Sequence, residues 1–77
     1  MRRFFMNIFR VTRARDARVV EVEVEPMGLD NGVYRAAIEA HVMLTGKEPV
    51  RAFCLEMSNQ IELDGEIYER PQLVGIY

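Results

Sequence analysis

Residues 20–25 alternate valine and glutamate without a break, and this pattern constrains the fold more than any other part of the chain. Successive side chains of a β-strand point to opposite faces, so the three valines share one face and the three glutamates share the other. We therefore expect a strand near residues 18–25 that is buried on its valine face and exposed on its glutamate face. Pro26 lacks a backbone N–H and is expected to end this strand.

The segments on either side are also predicted to be strands. Residues 4–13 are rich in aromatic and β-branched side chains, which favours a strand, with a helix as the alternative. Residues 15–17 are expected to form the short reversal that joins this strand to the next, and a second reversal is expected at residues 30–32, which read Asp-Asn-Gly. Residues 33–45 separate apolar from polar side chains more cleanly as a strand, although several good helix formers keep a helix open.

The second half of the chain shows a helical period. Residues 50, 53, 54, 57 and 61 are apolar and fall on a single helical stripe, which predicts a helix near residues 48–60. The alternative is a hairpin that turns at residues 46–49 and has residues 51–57 as its return strand. Further on, Asp64-Gly65 separates two short alternating segments, which is typical of a hairpin over residues 61–68.

Together these segments predict an α+β domain: an antiparallel β-meander of three or more strands, one helix packed on it, and a short C-terminal hairpin. A small all-β sandwich or barrel is the alternative. A chain of 77 residues builds only one core, so residues 1–77 are expected to form a single domain. The predicted core consists of Val20, Val22, Val24, Ile38, Phe53, Met57 and Ile61.

The residues that usually carry chemistry are scarce. The chain has one histidine, His41, and one cysteine, Cys54, whereas a zinc site needs about four ligands. We interpret His41 as structural and Cys54 as a buried thiol. The sequence thus predicts no catalytic residue, no metal and no cofactor, and a protein that is not an enzyme. The single cysteine and the short apolar runs predict a cytoplasmic protein without a membrane segment.

The charge distribution suggests a partner. Residues 1–18 carry +5 and the remaining residues −7, for a total of −2. An outward row formed by Glu21, Glu23 and Glu25 could bind a basic patch on another protein, such as the groove in which a larger protein holds nucleic acid. In size and character the chain is similar to small phage-encoded inhibitors of host machinery, including anti-CRISPR proteins. That likeness is one of class, and it implies a non-catalytic protein-interaction module.

Two other hypotheses use different features. Phe4, Phe5 and Phe9 lie among the N-terminal arginines, as expected for backbone neutralisation combined with base stacking on nucleic acid. The candidate nucleic-acid-binding residues are Arg2, Arg3, Arg10, Arg13, Arg15 and Arg18. The same arginines could instead pair internally with the glutamates of the next strand. Free strand edges would also allow a homodimer, which is compatible with either kind of partner.

Overall fold

A computed structural model of the chain describes residues 5–26, 32–55 and 59–77, with only the backbone for residues 52–55. The described elements are β1 (Asn7–Arg13), β2 (Arg18–Val24), α1 (Val33–Thr45), β3 (Ala52–Leu55), β4 (Gln60–Leu63), β5 (Glu66–Glu69) and β6 (Gln72–Ile76). The expected α+β class is confirmed: an antiparallel sheet carries one helix on one face.

The strands of the described residues form one sheet in which β1 is central. Five of them lie in the order β2-β1-β5-β4-β3, and β6 also pairs with β1. β2 lies along one edge of β1 with an unbroken register from Asn7 opposite Val24 to Arg13 opposite Arg18. The other edge of β1 is shared, because β5 pairs with its end and β6 with its beginning.

Tight turns join the neighbouring strands where the sequence predicts them. The reversal expected at residues 15–17 lies within the turn of residues 14–17 between β1 and β2, and Ala17 there has a positive φ of 58°. The C-terminal hairpin is also confirmed. Asp64 and Gly65 both have positive φ, 50° and 85°, which is the backbone shape that Asp-Gly favours between two strands. The reversal expected at residues 30–32 lies largely outside the described residues.

Residues 33–45 form a helix, so the strand predicted there is wrong, and so is the all-β alternative. The buried helical positions are Val33, Ala36, Ala37, Ala40 and His41, which recur at three- and four-residue spacing. The small alanines favour a helix and allow it to lie close to the sheet. Gly32 and Gly46, both with left-handed backbone, flank the helix, and the Gly46 N–H donates to the Val42 carbonyl over 2.7 Å.

The helix predicted over residues 48–60 is also wrong. β3 occupies residues 52–55, so a strand within residues 51–57 is confirmed. The alternative hairpin with its turn at residues 46–49 is wrong, because a helix precedes that turn and β3 pairs with β4 instead. Val50, the first residue of the supposed apolar stripe, is 89% exposed. The backbone N–H groups of Val50 and Arg51 donate to the Asp64 carboxylate at 3.0 and 2.8 Å, which ties the approach to β3 to the β4–β5 turn.

The core lies between α1 and the sheet. Of the predicted core residues, Val22, Val24 and Ile61 are buried, while Val20 and Ile38 are partly buried against the same cluster. The side chains of Phe53 and Met57 lie outside the described residues. The largest fully buried side chains were not predicted, and they are Phe9, Val11, Leu63 and Tyr68.

Candidate functional site

The sheet has one face under α1 and another face on which no described helix or strand packs. Directly opposite residues of antiparallel strands point to the same side, so buried Phe9, Val22, Ile61 and Tyr68 mark the helix side. We call the other surface the open face. Its described side chains include Ile8, Arg10, Thr12, Val19, Glu21, Glu23, Gln60, Glu62, Ile67, Glu69 and Gln72.

The glutamates of β2 lie where the alternation predicts them. Val22 and Val24 are buried on the helix side, so Glu21 and Glu23 point to the open face, and both are exposed. Glu25 follows β2 directly and is exposed as well. The structure therefore places Glu21 and Glu23 on the open face and leaves Glu25 exposed just beyond the end of β2.

Glu21 has a cationic neighbour, but the contact is loose. Arg10 lies directly opposite it on β1, and the Arg10 Nη2 to Glu21 Oε2 distance is 3.6 Å. The side chains are 49% and 56% exposed, so water competes for both charges. Within residues 5–26, 32–55 and 59–77, Glu23 and Glu25 have no cation within ion-pair distance.

Arg13 and Arg15 pair with other acids. Among the described residues, the internal array expected with the β2 glutamates therefore forms only between Arg10 and Glu21. The Arg13 guanidinium donates to both carboxylate oxygens of Asp16, at 3.0 and 2.6 Å. This hydrogen bonding, together with the backbone N–H of Arg18, holds the pKa of Asp16 well below its ordinary value. Arg15 donates two bonds of 3.2 Å to the carboxylate of Glu66.

The four N-terminal arginines that the structure describes are not gathered on one surface. Arg10 lies on the open face, while Arg13 lies on the helix side with its side chain only 8% exposed. Arg18 is exposed at the start of β2. Arg2 and Arg3 lie outside the described residues.

Two further carboxylates reach the open face from the C-terminal hairpin. Ile61 and Tyr68 are buried on the helix side, so their neighbours Glu62 and Glu69 point the other way. Glu69 accepts a hydrogen bond of 3.2 Å from the Gln60 side-chain amide. The sequence shows the acidic character of this hairpin, but only the register between β1 and β5 places it on the face that Glu21 and Glu23 share.

A shallow depression of about 310 Å³ marks one end of the open face. β1 and β2 contribute Ile8, Arg10 and Glu21 to it, and the last residues of the chain supply an apolar wall. That wall consists of Val74, Gly75, Ile76 and Tyr77. The open face therefore combines carboxylates with a partly apolar surface, which suits contact with another macromolecule.

His41 and Tyr68 form the polar contact between the two layers. The Nδ1 atom of His41 lies 2.6 Å from the hydroxyl oxygen of Tyr68, and both residues are buried. Burial raises the pKa of the Tyr68 hydroxyl. The pair lies beneath α1, on the side of the sheet away from the carboxylates, and so positions the helix rather than the open face.

Among the residues that the structure describes, no three His, Cys, Asp or Glu side chains come together in a way that could hold a metal ion. In the same part of the chain, no helix is long and apolar enough to cross a membrane. The side chain of Cys54 lies outside the described residues.

No protein family, curated protein or solved structure matches this chain.

Proposed function

We propose that this protein is a non-catalytic interaction module that binds a basic surface of another protein through Glu21, Glu23 and Glu25. The observation that supports the proposal is that Glu21 and Glu23 point from a sheet face that no described element covers, with Glu25 exposed just beyond the end of β2. Only Glu21 of the three has a described cationic neighbour, at 3.6 Å. A basic partner would supply the counter-charges that the described residues do not provide for Glu23 and Glu25.

The hairpin carboxylates extend the acidic area. Glu62 and Glu69 share the open face with Glu21 and Glu23, and Arg10 lies on the same face. Carboxylates spread over several strands attract a basic surface at distances comparable to the Debye length, which is about 8 Å at physiological ionic strength. We expect the charges to act mainly on the association rate and binding to weaken as salt rises.

An inhibitor of nucleic-acid-handling machinery is the specific form of this function that we favour. A groove that holds nucleic acid is lined with Arg and Lys, and a rigid sheet face bearing carboxylates could occupy it in place of phosphates. The loose contact between Arg10 and Glu21 supports this form, because little free energy is lost when Glu21 exchanges Arg10 for a cation of the partner.

The test compares two variants with the same change in charge on different sides of the molecule. E23K/E25K alters the outward row, whereas E39K/E48K alters a half-exposed acid on α1 and an exposed acid just after it. Tagged wild-type and variant proteins are used for affinity purification from an extract of the native host, with and without nuclease, over a range of salt concentrations. Unfolding midpoints are measured in parallel to show that the variants remain folded.

We expect a protein partner that survives nuclease and is retained by E39K/E48K but lost with E23K/E25K. Retention of the partner by E23K/E25K would contradict the proposal. Loss of the bound material on nuclease treatment would instead favour nucleic-acid binding through the N-terminal arginines.

A further inference from the structure

β2 is an outer strand of the sheet. It pairs with β1 along its whole length, and within the described residues no strand lies on its other side. The backbone N–H and C=O groups of alternate residues on such an edge point outward and can pair with another extended chain. β2 is seven residues long, which is long enough to hold a segment in a defined register.

We propose that the free edge of β2 accepts an extended segment of the partner as an additional strand, and that this segment carries Arg or Lys at every second position. The inference rests on the proposed function and specifies how the acidic row is used. Main-chain hydrogen bonds would supply affinity and the alternating side chains would supply selectivity, as in other cases of strand addition to a sheet edge.

The spacing of the carboxylates fits this mode. Side chains two residues apart on a strand are about 7 Å apart, and an added strand has the same repeat. Cations at alternate positions would therefore lie beside Glu21 and Glu23, and the next one would be near Glu25, just beyond the end of β2. Arg suits these positions better than Lys, because its planar guanidinium can donate to both oxygens of a carboxylate.

The intervening positions of the segment face the helix side of the sheet. There they would lie beside the valines of β2, of which Val20 is only partly buried. Small or β-branched apolar residues suit such positions because they pack well on a pleated surface. The predicted partner segment thus alternates Arg or Lys with residues such as Val or Ile.

A second copy of this chain is a poor occupant of the same edge. Two β2 strands related by a two-fold axis through Glu21 would place Glu21 beside its own copy. Like charges directly opposite each other destabilise strand pairing. The carboxylates therefore select against self-pairing at this edge and in favour of a basic segment from another protein.

The experiment uses a synthetic peptide that alternates arginine and valine over about seven residues, the length of a typical strand. Two N-methylated versions carry the methyl groups either on every arginine or on every valine. An added strand presents only alternate N–H groups to its neighbour, so one methylated version blocks the hydrogen bonds to β2 and the other leaves them intact. Binding to the full chain is followed by NMR titration, with amide exchange measured for β2.

We expect the parent peptide to bind, one methylated version to lose at least about tenfold in affinity, and the other to bind like the parent. Amides of β2 should become protected from exchange, and E23K/E25K should abolish binding while E39K/E48K retains it. Equal binding of both methylated peptides would overturn strand addition. If E23K/E25K still abolished binding in that case, the proposed function would stand with a side-chain contact instead.

Absence of binding by the parent peptide at about 1 mM would also overturn strand addition, since even a weak specific contact is detectable at that concentration. The proposed function is then decided separately by the affinity purification with the same two charge variants.

Discussion

β2 and β6 are both antiparallel neighbours of β1, one on each side, yet they present opposite kinds of surface. β2 alternates buried valines with exposed glutamates, whereas β6 contains no charged residue and leaves Leu73, Val74 and Ile76 exposed. β6 also contains an irregularity, because consecutive β1 residues Ile8 and Phe9 pair with Gly75 and Leu73 and leave Val74 as an extra residue.

The comparison shows two ways of managing a strand at the border of a sheet. Charges on β2 discourage pairing with like strands while attracting a basic one. The extra residue in β6 disrupts the regular ladder, which discourages pairing without any charge. The charges of β2 thus select which strands can pair with it, whereas only the irregular backbone of β6 discourages pairing with other strands.

The largest expected difference in stability between variants of the two strands concerns Gly32, which contacts β2, and Gly75, which lies within β6. A Cβ atom on Gly32 would lie 2.9 Å from Val24 Cγ2, and Gly32 has a φ of +93°. Gly32→Ala is therefore expected to cost about 2–4 kcal/mol, from backbone strain together with overpacking against β2. Chemical denaturation of the variant measures this loss.

Gly75 on β6 is the matched control. A Cβ atom there would be 3.8 Å from Ile8, which is ordinary contact distance. Gly75→Ala should leave the free energy of unfolding within about 1 kcal/mol of wild type. Equal losses in the two variants would show that the ends of β2 and β6 are packed alike.

The next largest difference in stability should come from truncating a valine in each of the two strands. Val22 on β2 is 5% exposed and Val74 on β6 is 42% exposed. Val22→Ala should lower the free energy of unfolding by about 1–3 kcal/mol, because it removes buried methyl groups and leaves a cavity. Val74→Ala should change it by less than about 0.5 kcal/mol. A larger effect of Val74→Ala would place β6 in the core.

Acid should weaken the β2 side of β1 through the turn that joins the two strands. The pKa of Asp16 is lowered in the folded protein, chiefly by its hydrogen bonds with Arg13. The stabilisation that this carboxylate contributes is complete above the pKa of an aspartate in the unfolded chain, near 3.9. It is lost as the pH falls towards the lower pKa of Asp16 in the folded protein. Asp16→Asn should therefore be less stable than wild type at pH 7 and lose less stability on acidification.

Denaturation of both proteins between about pH 7 and pH 2 measures this difference. Glu23→Gln is the control, because Glu23 has no cation within ion-pair distance among the described residues. Parallel curves for wild type and Asp16→Asn would mean that the Asp16–Arg13 contact does not hold the turn in solution.

The smallest expected effect is that of the exposed pair on the open face. Arg10 and Glu21 are 3.6 Å apart and about half exposed, so their coupling should be under about 1 kcal/mol. A double-mutant cycle with Arg10→Ala and Glu21→Ala measures it. A substantially larger coupling would mean that Glu21 is committed to Arg10, which would weaken its assignment to a partner.

The sequence predicts those elements of the fold in which periodicity and turn chemistry agree. The alternation of β2 and the Asp64-Gly65 hairpin belong to this group. The predictions were wrong where a two-residue strand period and a 3.6-residue helical period fit the same segment. Residues 33–45 alternate well enough for a strand, but alanines on one helical face and glycines at both ends decide for α1. In residues 48–60 an apparent helical stripe is overridden by pairing with β4.

The candidate site could be predicted from the sequence only where alternation within one strand decides which side chains are exposed. Exposure of Glu21 and Glu23 follows from alternation within one strand. The contributions of Glu62 and Glu69 depend on which face of the hairpin meets α1, and that is set by the long-range pairing of Arg13 with Tyr68. No local pattern in a single sequence reveals such a register.

The pairing of β1 with β2 on one edge and with β5 and β6 on the other also has consequences for the order of folding. β2 follows β1 after a four-residue turn, so pairing the two strands closes only a short loop. β6 lies near the other end of the described sequence, so its pairing with β1 closes a very long loop. The entropy of loop closure rises with loop length, and contacts between distant segments slow folding. We therefore expect β1 and β2 to dock first and β6 to join late. By the same logic β6 should be the first strand to detach, and its amides should exchange with solvent before those of β2.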